Sequence, residues 1–249
     1  MTRRSLLAIE IITPLLVVAA ILVFTVSADS YYFPPLPDVV ETFFQTWMSD
    51  RLVSDLLPSL RRMGIAYVLC VVLGVGAGVV LAQSRRLMIA VEPILEFLRA
   101  LPGPALIPFG ILLFGIGDTM KIFIIVLGAV WPILMNTVEG VRGVDTALLH
   151  MARVYHLPRR AVYRIILRSA SPRILAGMRT SLSLTIILMV ISEMVGSTNG
   201  VGFAVLQAQR SFAIPEMWSG ILLLGLIGYL ANLVFLALEK RALFWTRRS

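Results

Sequence analysis

Few side chains in this 249-residue chain could do chemistry, and most of them sit where water should be absent. Glu10, Glu96, Arg99, Lys121 and Glu193 lie within long apolar stretches. Ionisable groups in such surroundings are functional candidates by default, because an unpaired charge there is costly. Glu96 and Arg99 are three residues apart and can pair on one helix face, a structural role that outweighs contact with a solute. Glu193 is followed by Gly196-Ser197-Thr198-Asn199-Gly200-Val201-Gly202. A carboxylate beside a glycine-rich segment suits a hinge or gate, with Ser197 and Asn199 as polar companions; a plain loop is the competing reading.

Other chemistry is disfavoured. His150 and His156 could share adjacent helical turns, but no nearby carboxylate completes a metal triad. The single cysteine, Cys70, lies in an apolar run, has no partner for a disulfide, and reads as a small core residue. The chain has two lysines, Lys121 and Lys240, and neither follows the glycine pattern of a P-loop. Neither G-x-S-x-G nor H-E-x-x-H occurs. An ATPase or hydrolase mechanism within this chain therefore lacks its residues.

The elements that must position these groups are membrane spans. The chain is 58% hydrophobic and 14% charged, against about 45–50% and about 25% in soluble domains. Six stretches approach bilayer length: Leu6 to Val26, Met63 to Ala82, Pro93 to Gly115, Lys121 to Val138, Ile174 to Val195 and Met217 to Leu238. The first lacks a small-residue cleavage site and reads as a signal-anchor helix rather than a cleaved leader. The second carries Gly74, Gly76 and Gly78, which would let helices approach closely. The third is interrupted by Pro102, Pro104 and Pro108, two of which, Pro102 and Pro108, join Arg99 as pathway candidates. The expected fold is an all-α polytopic membrane protein of about six helices, with residues 1–249 forming one transmembrane domain.

Basic residues orient it. With the N-terminus inside, 16 of the 22 Lys and Arg residues fall on the cytoplasmic side, as the positive-inside rule asks. Both termini would then be cytoplasmic. Arg61 and Arg62, at the outer end of the second span, break the rule. The net charge of +8 serves topology rather than nucleic acid, since the Arg residues flank apolar spans and no aromatic platforms accompany them.

Two further parts are informative. In residues 38–57, Asp38 precedes Glu41 by three residues, a helix-start signal resembling a capping box. Val39, Val40, Phe43, Phe44, Trp47 and Met48 follow at helical spacing. This predicts an amphipathic helix lying on the outer membrane face, or one packed against the bundle. Residues 140–172 form a cytoplasmic loop too long for a turn. Asp145 can cap a helix running to about Tyr155, with Leu148, Leu149 and Ala152 on one face. Pro158 suits the first turn of a second helix running to about Ser169. Two short projecting helices joined at His156, Leu157 and Pro158 could fill a groove on a partner; a solvated Arg-rich loop that only sets topology is the alternative.

These residues also resemble a known family. Leu98-Arg99-Ala100-Leu101-Pro102, Ala105-Leu106-Ile107-Pro108, Leu113-Phe114-Gly115-Ile116-Gly117-Asp118, Pro132-Ile133-Leu134-Met135-Asn136-Thr137 and Gly140-Val141-Arg142 are similar to permease subunits of nitrate/taurine/sulfonate-type ABC importers. Ser192-Glu193-Met194-Val195-Gly196, Gly200-Val201-Gly202, Gly220-Ile221-Leu222 and Gly225-Leu226-Ile227-Gly228 continue the match over almost the whole chain. The family's loop signature is Glu-Ala-Ala, then Gly, then Ile-x-Leu-Pro. Ala152-Arg153 and Ile165-Ile166-Leu167 match it, His150 and Met151 replace Glu and the first Ala, Arg168 replaces Pro, and His156 or Tyr155 replaces Gly.

The resemblance implies a type I ABC importer permease fold in a bacterial inner membrane and a homodimer forming the solute pathway. It implies two cytoplasmic ATPase subunits that bind ATP and Mg, and an extracytoplasmic solute-binding protein, with no cofactor on this chain. Solutes of this family include sulfonates, taurine and nitrate. The ATPase would dock on the coupling loop at Asp145, Leu148, Leu149, Ala152, Arg153, Tyr155, His156, Leu157 and Pro158. A self-sufficient secondary transporter or channel would show paired broken helices in two halves, and only one Pro-broken span is evident. An integral-membrane enzyme has no motif to support it.

Overall fold

The computed structural model describes residues 30–244 and scattered positions between 12 and 25. The span expected at Leu6 to Val26, with Glu10, falls outside the residues described in full. Residues 30–244 hold nine α-helices in order: α1 Leu36–Trp47, α2 Leu57–Gln83, α3 Arg85–Ala100, α4 Ile107–Phe114, α5 Asp118–Arg142, α6 Thr146–Val154, α7 Arg159–Gly196, α8 Val201–Arg210 and α9 Ile214–Ala242. A π-helical turn, Leu52–Leu56, leads into α2, and a 3-10 turn, Gly103–Leu106, leads into α4. No strand occurs among the described residues.

Proline marks four of the starts. Pro37, Pro58, Pro108 and Pro215 sit in the first turns of α1, α2, α4 and α9. There the missing N–H would have had no intrahelical partner, and the fixed φ suits a helix.

Among the described residues, four helical stretches are long and apolar enough to cross a bilayer: Leu52–Gln83, Asp118–Arg142, Arg159–Gly196 and Ile214–Ala242. Between the first two, α3 and the Gly103–Phe114 segment form a pair bent by 90°. Contacts decide what this pair is. Met88 packs with Leu134 and Val138 near the end of α5, Gly103 abuts Gly128 at its middle, and Gly110 meets Met120 and Ile124 at its start. The pair climbs the full height of α5, so it is one broken crossing rather than a loop returning to the same side. The interruption expected from Pro102 and Pro104 falls at that bend, while Pro108 begins the next helix.

The core lies between α2, α5 and α7. Ala66 and Cys70 of α2, Ile125, Ala129 and Ile133 of α5, and Leu188 and Met189 of α7 form one buried cluster. Close approach depends on two glycines four residues apart. A Cβ on Gly74 would stand 2.8 Å from the Ile133 side chain, and one on Gly78 2.6 Å from Thr137. Gly76 has nothing within 4 Å. The three-glycine contact expected from sequence is thus a two-glycine contact, because only positions i and i+4 share a helix face.

Three other expectations change. First, α1 packs into the bundle: Val39, Phe43 and Trp47 are buried, with Phe43 and Trp47 against Val201, Ala204, Leu223 and Ile227. Trp47 Nε1 donates to Ser219 Oγ at 3.2 Å. Val40, Phe44 and Met48 form its exposed face, so of the two placements the packed one holds. Second, Asp38 is not a cap. The helix starts two residues earlier behind Pro35, with no side-chain capping bond. Third, the helix after Pro158 does not stop near Ser169. It continues through Pro172 to Gly196 as one 38-residue helix, about 57 Å at 1.5 Å per residue. A bilayer core of about 30 Å leaves roughly half of it projecting.

Candidate functional site

The two ends of α7 carry the two candidate sites. Near its C-terminus Glu193 is fully buried, and the fold surrounds it with donors from three directions. Arg62 of α2 gives an ion pair at 2.8 Å. Ser59, one turn earlier, places its hydroxyl 2.8 and 2.9 Å from the two carboxylate oxygens. The N–H of Gly202, in the first turn of α8, donates at 3.0 Å. The carboxylate therefore also faces the positive end of the α8 dipole.

Arg62 is 2% exposed and fully used. Its Nε donates to Asp118 at 2.7 Å, and a terminal nitrogen donates to Asn199 Oδ1 at 2.6 Å. Arg61 also pairs with Asp118. Lys121, one turn into α5, donates to Ser197 Oγ at 2.7 Å and stands 3.9 Å from Asp118. Ser197 Oγ in turn donates to the Asn199 carbonyl. Asp55, in the π-helical turn, accepts from Gly200 N–H at 2.8 Å. Every buried side-chain polar atom among the described residues has a partner, as groups removed from water require.

One backbone position makes this geometry possible. Gly200 has φ +115°, and a Cβ there would lie 2.5 Å from the Glu193 carboxyl carbon. Only glycine permits both the turn and the carboxylate beneath it.

Glu193, Ser197 and Asn199, neighbours in the sequence, are thus brought together, and Lys121, a separate charge within a span, joins them through Ser197. Arg62, Ser59, Asp55 and Asp118 complete the network and were not among the sequence candidates. The signal was present in Arg61 and Arg62, whose breach of the charge rule marks arginines held by carboxylates. Arg99, Pro102 and Pro108 do not join. Arg99 pairs with Glu96 at 2.7 Å on an exposed face, the pairing their spacing predicted. Pro102 stands before the 3-10 turn and Pro108 opens α4.

At the other end of α7 stands α6. Asp145 caps it, accepting from Ala147 N–H at 2.8 Å. Its C-terminus closes with a Schellman turn: Leu157 N–H donates to the Ala152 carbonyl at 2.9 Å and His156 N–H to the Arg153 carbonyl at 3.0 Å. His156 takes the left-handed conformation, φ +48°, which is the geometry glycine favours. His156, not Tyr155, therefore occupies the place of the signature glycine.

The apolar residues of α6 divide between two faces. Ala152 is buried, and Leu149, Ala152 and His156 line a groove of about 630 Å³ against Val162 and Ile166 of α7. Leu148, Met151 and Tyr155 point outward, 38%, 55% and 73% exposed. Spacing alone had grouped Leu148 with Leu149 and overlooked Met151.

The fold has a counterpart among solved structures. A chain of the inward-facing MetNI methionine ABC transporter superposes with a TM-score of 0.66 at 22% identity, over 78% of this chain and 97% of that one. The fold is that of a type I ABC importer permease. Residues 71–243 match the binding-protein-dependent transport system inner membrane component, and the chain belongs to that family. Among curated relatives, a putative aliphatic sulfonates transport permease of Bacillus subtilis (strain 168) is 33% identical over 208 residues, 83% of this chain and 75% of that protein. The taurine transport system permease of Escherichia coli (strain K12) is 30% identical, over 86% and 80%. The nitrate import permease of Leptolyngbya laminosa is 28% identical, over 78% and 70%.

Proposed function

We propose that this chain forms the solute pathway of an ATP-driven importer for a small organic or inorganic anion such as a sulfonate, taurine or nitrate. The relatives' names support the anion, and the observation that carries the coupling is the outward apolar face of α6. Leu148, Met151 and Tyr155 stand on a helix fixed at both ends and seated on α7. Exposed apolar side chains on a rigid, short helix are suited to burial in a partner's groove. The partner is a cytoplasmic ATPase subunit that binds ATP and Mg, two of them serving a homodimer of this chain. A soluble binding protein delivers solute to the opposite face. Both termini are then cytoplasmic, and this chain itself supplies no nucleotide chemistry.

The mechanical link is α7. Between Arg159 and Glu193 it runs about 50 Å at 1.5 Å per residue. A shift of α6 with the ATPase would be carried by this single helix to the buried network around Glu193. The test is retention of the cognate ATPase, co-expressed and pulled down from detergent, by Leu148→Asp/Tyr155→Asp protein. Loss of the ATPase with insertion preserved supports the docking reading; wild-type stoichiometry would make α6 a solvated topological element.

A further inference from the structure

The network at the Glu193 end has two sides, and its charge divides unevenly between them. Glu193 and Asp55 are turned toward backbone N–H groups of Gly202 and Gly200. On the other side, a cavity of about 400 Å³ opens between the start of α2, the start of α5 and the 197–200 loop. Its volume is within the range of small-ligand sites, about 300–1,000 Å³. Arg61, Arg62 and Lys121 line it, with Asp118 as the one carboxylate in the wall.

Arg62 is matched from behind by Glu193 at 2.8 Å. Its Nε also bonds Asp118 at 2.7 Å, so Arg61, Arg62 and Lys121 all share that one carboxylate. Lys121 is 3.9 Å from that carboxylate, beyond an ordinary hydrogen bond, and spends one ammonium proton on the neutral Ser197 at 2.7 Å. Arg61 is the exposed member, its side chain 64% exposed, while that of Lys121 is 4% exposed. One buried cation and one exposed guanidinium thus face a single shared counter-charge. Thr198 adds a hydroxyl, and Val53, Leu57 and Ile116 supply an apolar flank.

We propose that this cavity is a binding site for a small oxyanion of the sulfonate or sulfate class. The charged head is held between Lys121 and Arg61, and a short carbon tail lies against Val53, Leu57 and Ile116. The guanidinium fork matches a planar pair of oxygens, and a cation at low exposure strengthens each contact. Asp118 is the competitor: it occupies the cations when the anion is absent and repels the anion as it enters. The site deepens the proposed transport function by giving the solute a resting place within one protomer. It rests on that function only for the anion's onward movement, not for its binding.

The experiment uses the full-length chain in nanodiscs of zwitterionic lipid, with radiolabelled sulfate and methanesulfonate as probes at constant ionic strength. The expected result is saturable binding displaced by unlabelled methanesulfonate but not by an equal concentration of chloride. Lys121→Met and Arg61→Met should each weaken it about tenfold or more, the worth of one charge-assisted hydrogen bond. Asp118→Asn should tighten it. If Lys121→Met does not fold, the exposed Arg61→Met decides. Absence of saturable binding by the folded protein, or binding indifferent to Arg61→Met and Asp118→Asn alike, overturns the site. Transport by the assembled importer is measured separately. Transport without this binding sinks the site and leaves the importer reading intact; binding without transport in the presence of ATPase and binding protein upholds the site and counts against that reading.

Discussion

The two ends of α7 solve opposite problems. Around Glu193 the chain gathers six charged side chains, Asp55, Arg61, Arg62, Asp118, Lys121 and Glu193, and gives the buried polar atoms partners from its own sequence. Around α6 it does the reverse, fixing a helix firmly and leaving its apolar face to water. The buried pair of Arg62 and Glu193 at the first end is satisfied within the chain, so a change in that pair should be felt as stability. On the docking proposed above, a change at the second should be felt by the ATPase while the fold stands.

The largest effect should come from breaking the closed end asymmetrically. Arg62→Ala leaves Glu193 charged and buried, at a cost of about 3–5 kcal/mol. Thermal unfolding in detergent should show a marked fall in Tm. The double change Arg62→Met/Glu193→Leu should recover much of it, because apolar residues of similar volume can replace a buried pair. A double variant no more stable than Arg62→Ala would mean that the network's value lies outside the charge pair.

At the open end, Leu148→Asp/Tyr155→Asp should leave Tm nearly unchanged. Each large side chain buried in a partner contributes about 1.5–3 kcal/mol, one to two decades in affinity. The double variant should therefore lose the ATPase from the pull-down. A fall in Tm as large as that of Arg62→Ala would show that α6 supports the fold and would erase the contrast.

Gly200→Ala tests the closed end from the backbone. The left-handed φ and the 2.5 Å approach to Glu193 predict a loss of about 1–3 kcal/mol, read by the same melt. Normal stability would mean that the 197–200 loop can shift without disturbing the carboxylate.

The smallest effect belongs to the ends of α6. Asp145→Ala removes a capping bond worth about 1 kcal/mol, and His156→Gly should relieve about 1–2 kcal/mol of left-handed strain. Hydrogen exchange along residues 146–154 should rise in the first and fall in the second. Equal exchange in both would place the rigidity of α6 in its groove against α7 rather than in its caps.

Much of the fold was legible locally. Apolar runs located the described crossings, Asp145 announced α6, and Pro158 announced the start of α7. These signals act within one or two turns, so they survive without knowledge of the partners. The ends of helices were less legible, since backbone hydrogen bonding continues past the last apolar residue. That is why α7 runs back to Arg159 and α3 starts at Arg85, capped by Ser84. The direction of side chains was legible only in part. Leu148 and Leu149 look equivalent as neighbours, yet one faces α7 and the other faces water.

By itself the sequence determined a polytopic, all-helical chain with a broken third crossing, a capped helix between the fourth and fifth, and candidate charges at Lys121 and Glu193. Only the tertiary structure decided what those charges do. Glu193 meets Arg62 across 131 positions, and Arg62 meets Asp118 across 56. Such partners are chosen by the packing of α2, α5 and α7, not by any local pattern. In a medium without water to solvate a stray charge, that packing separates a closed ionic network from a lone carboxylate beside a glycine-rich loop.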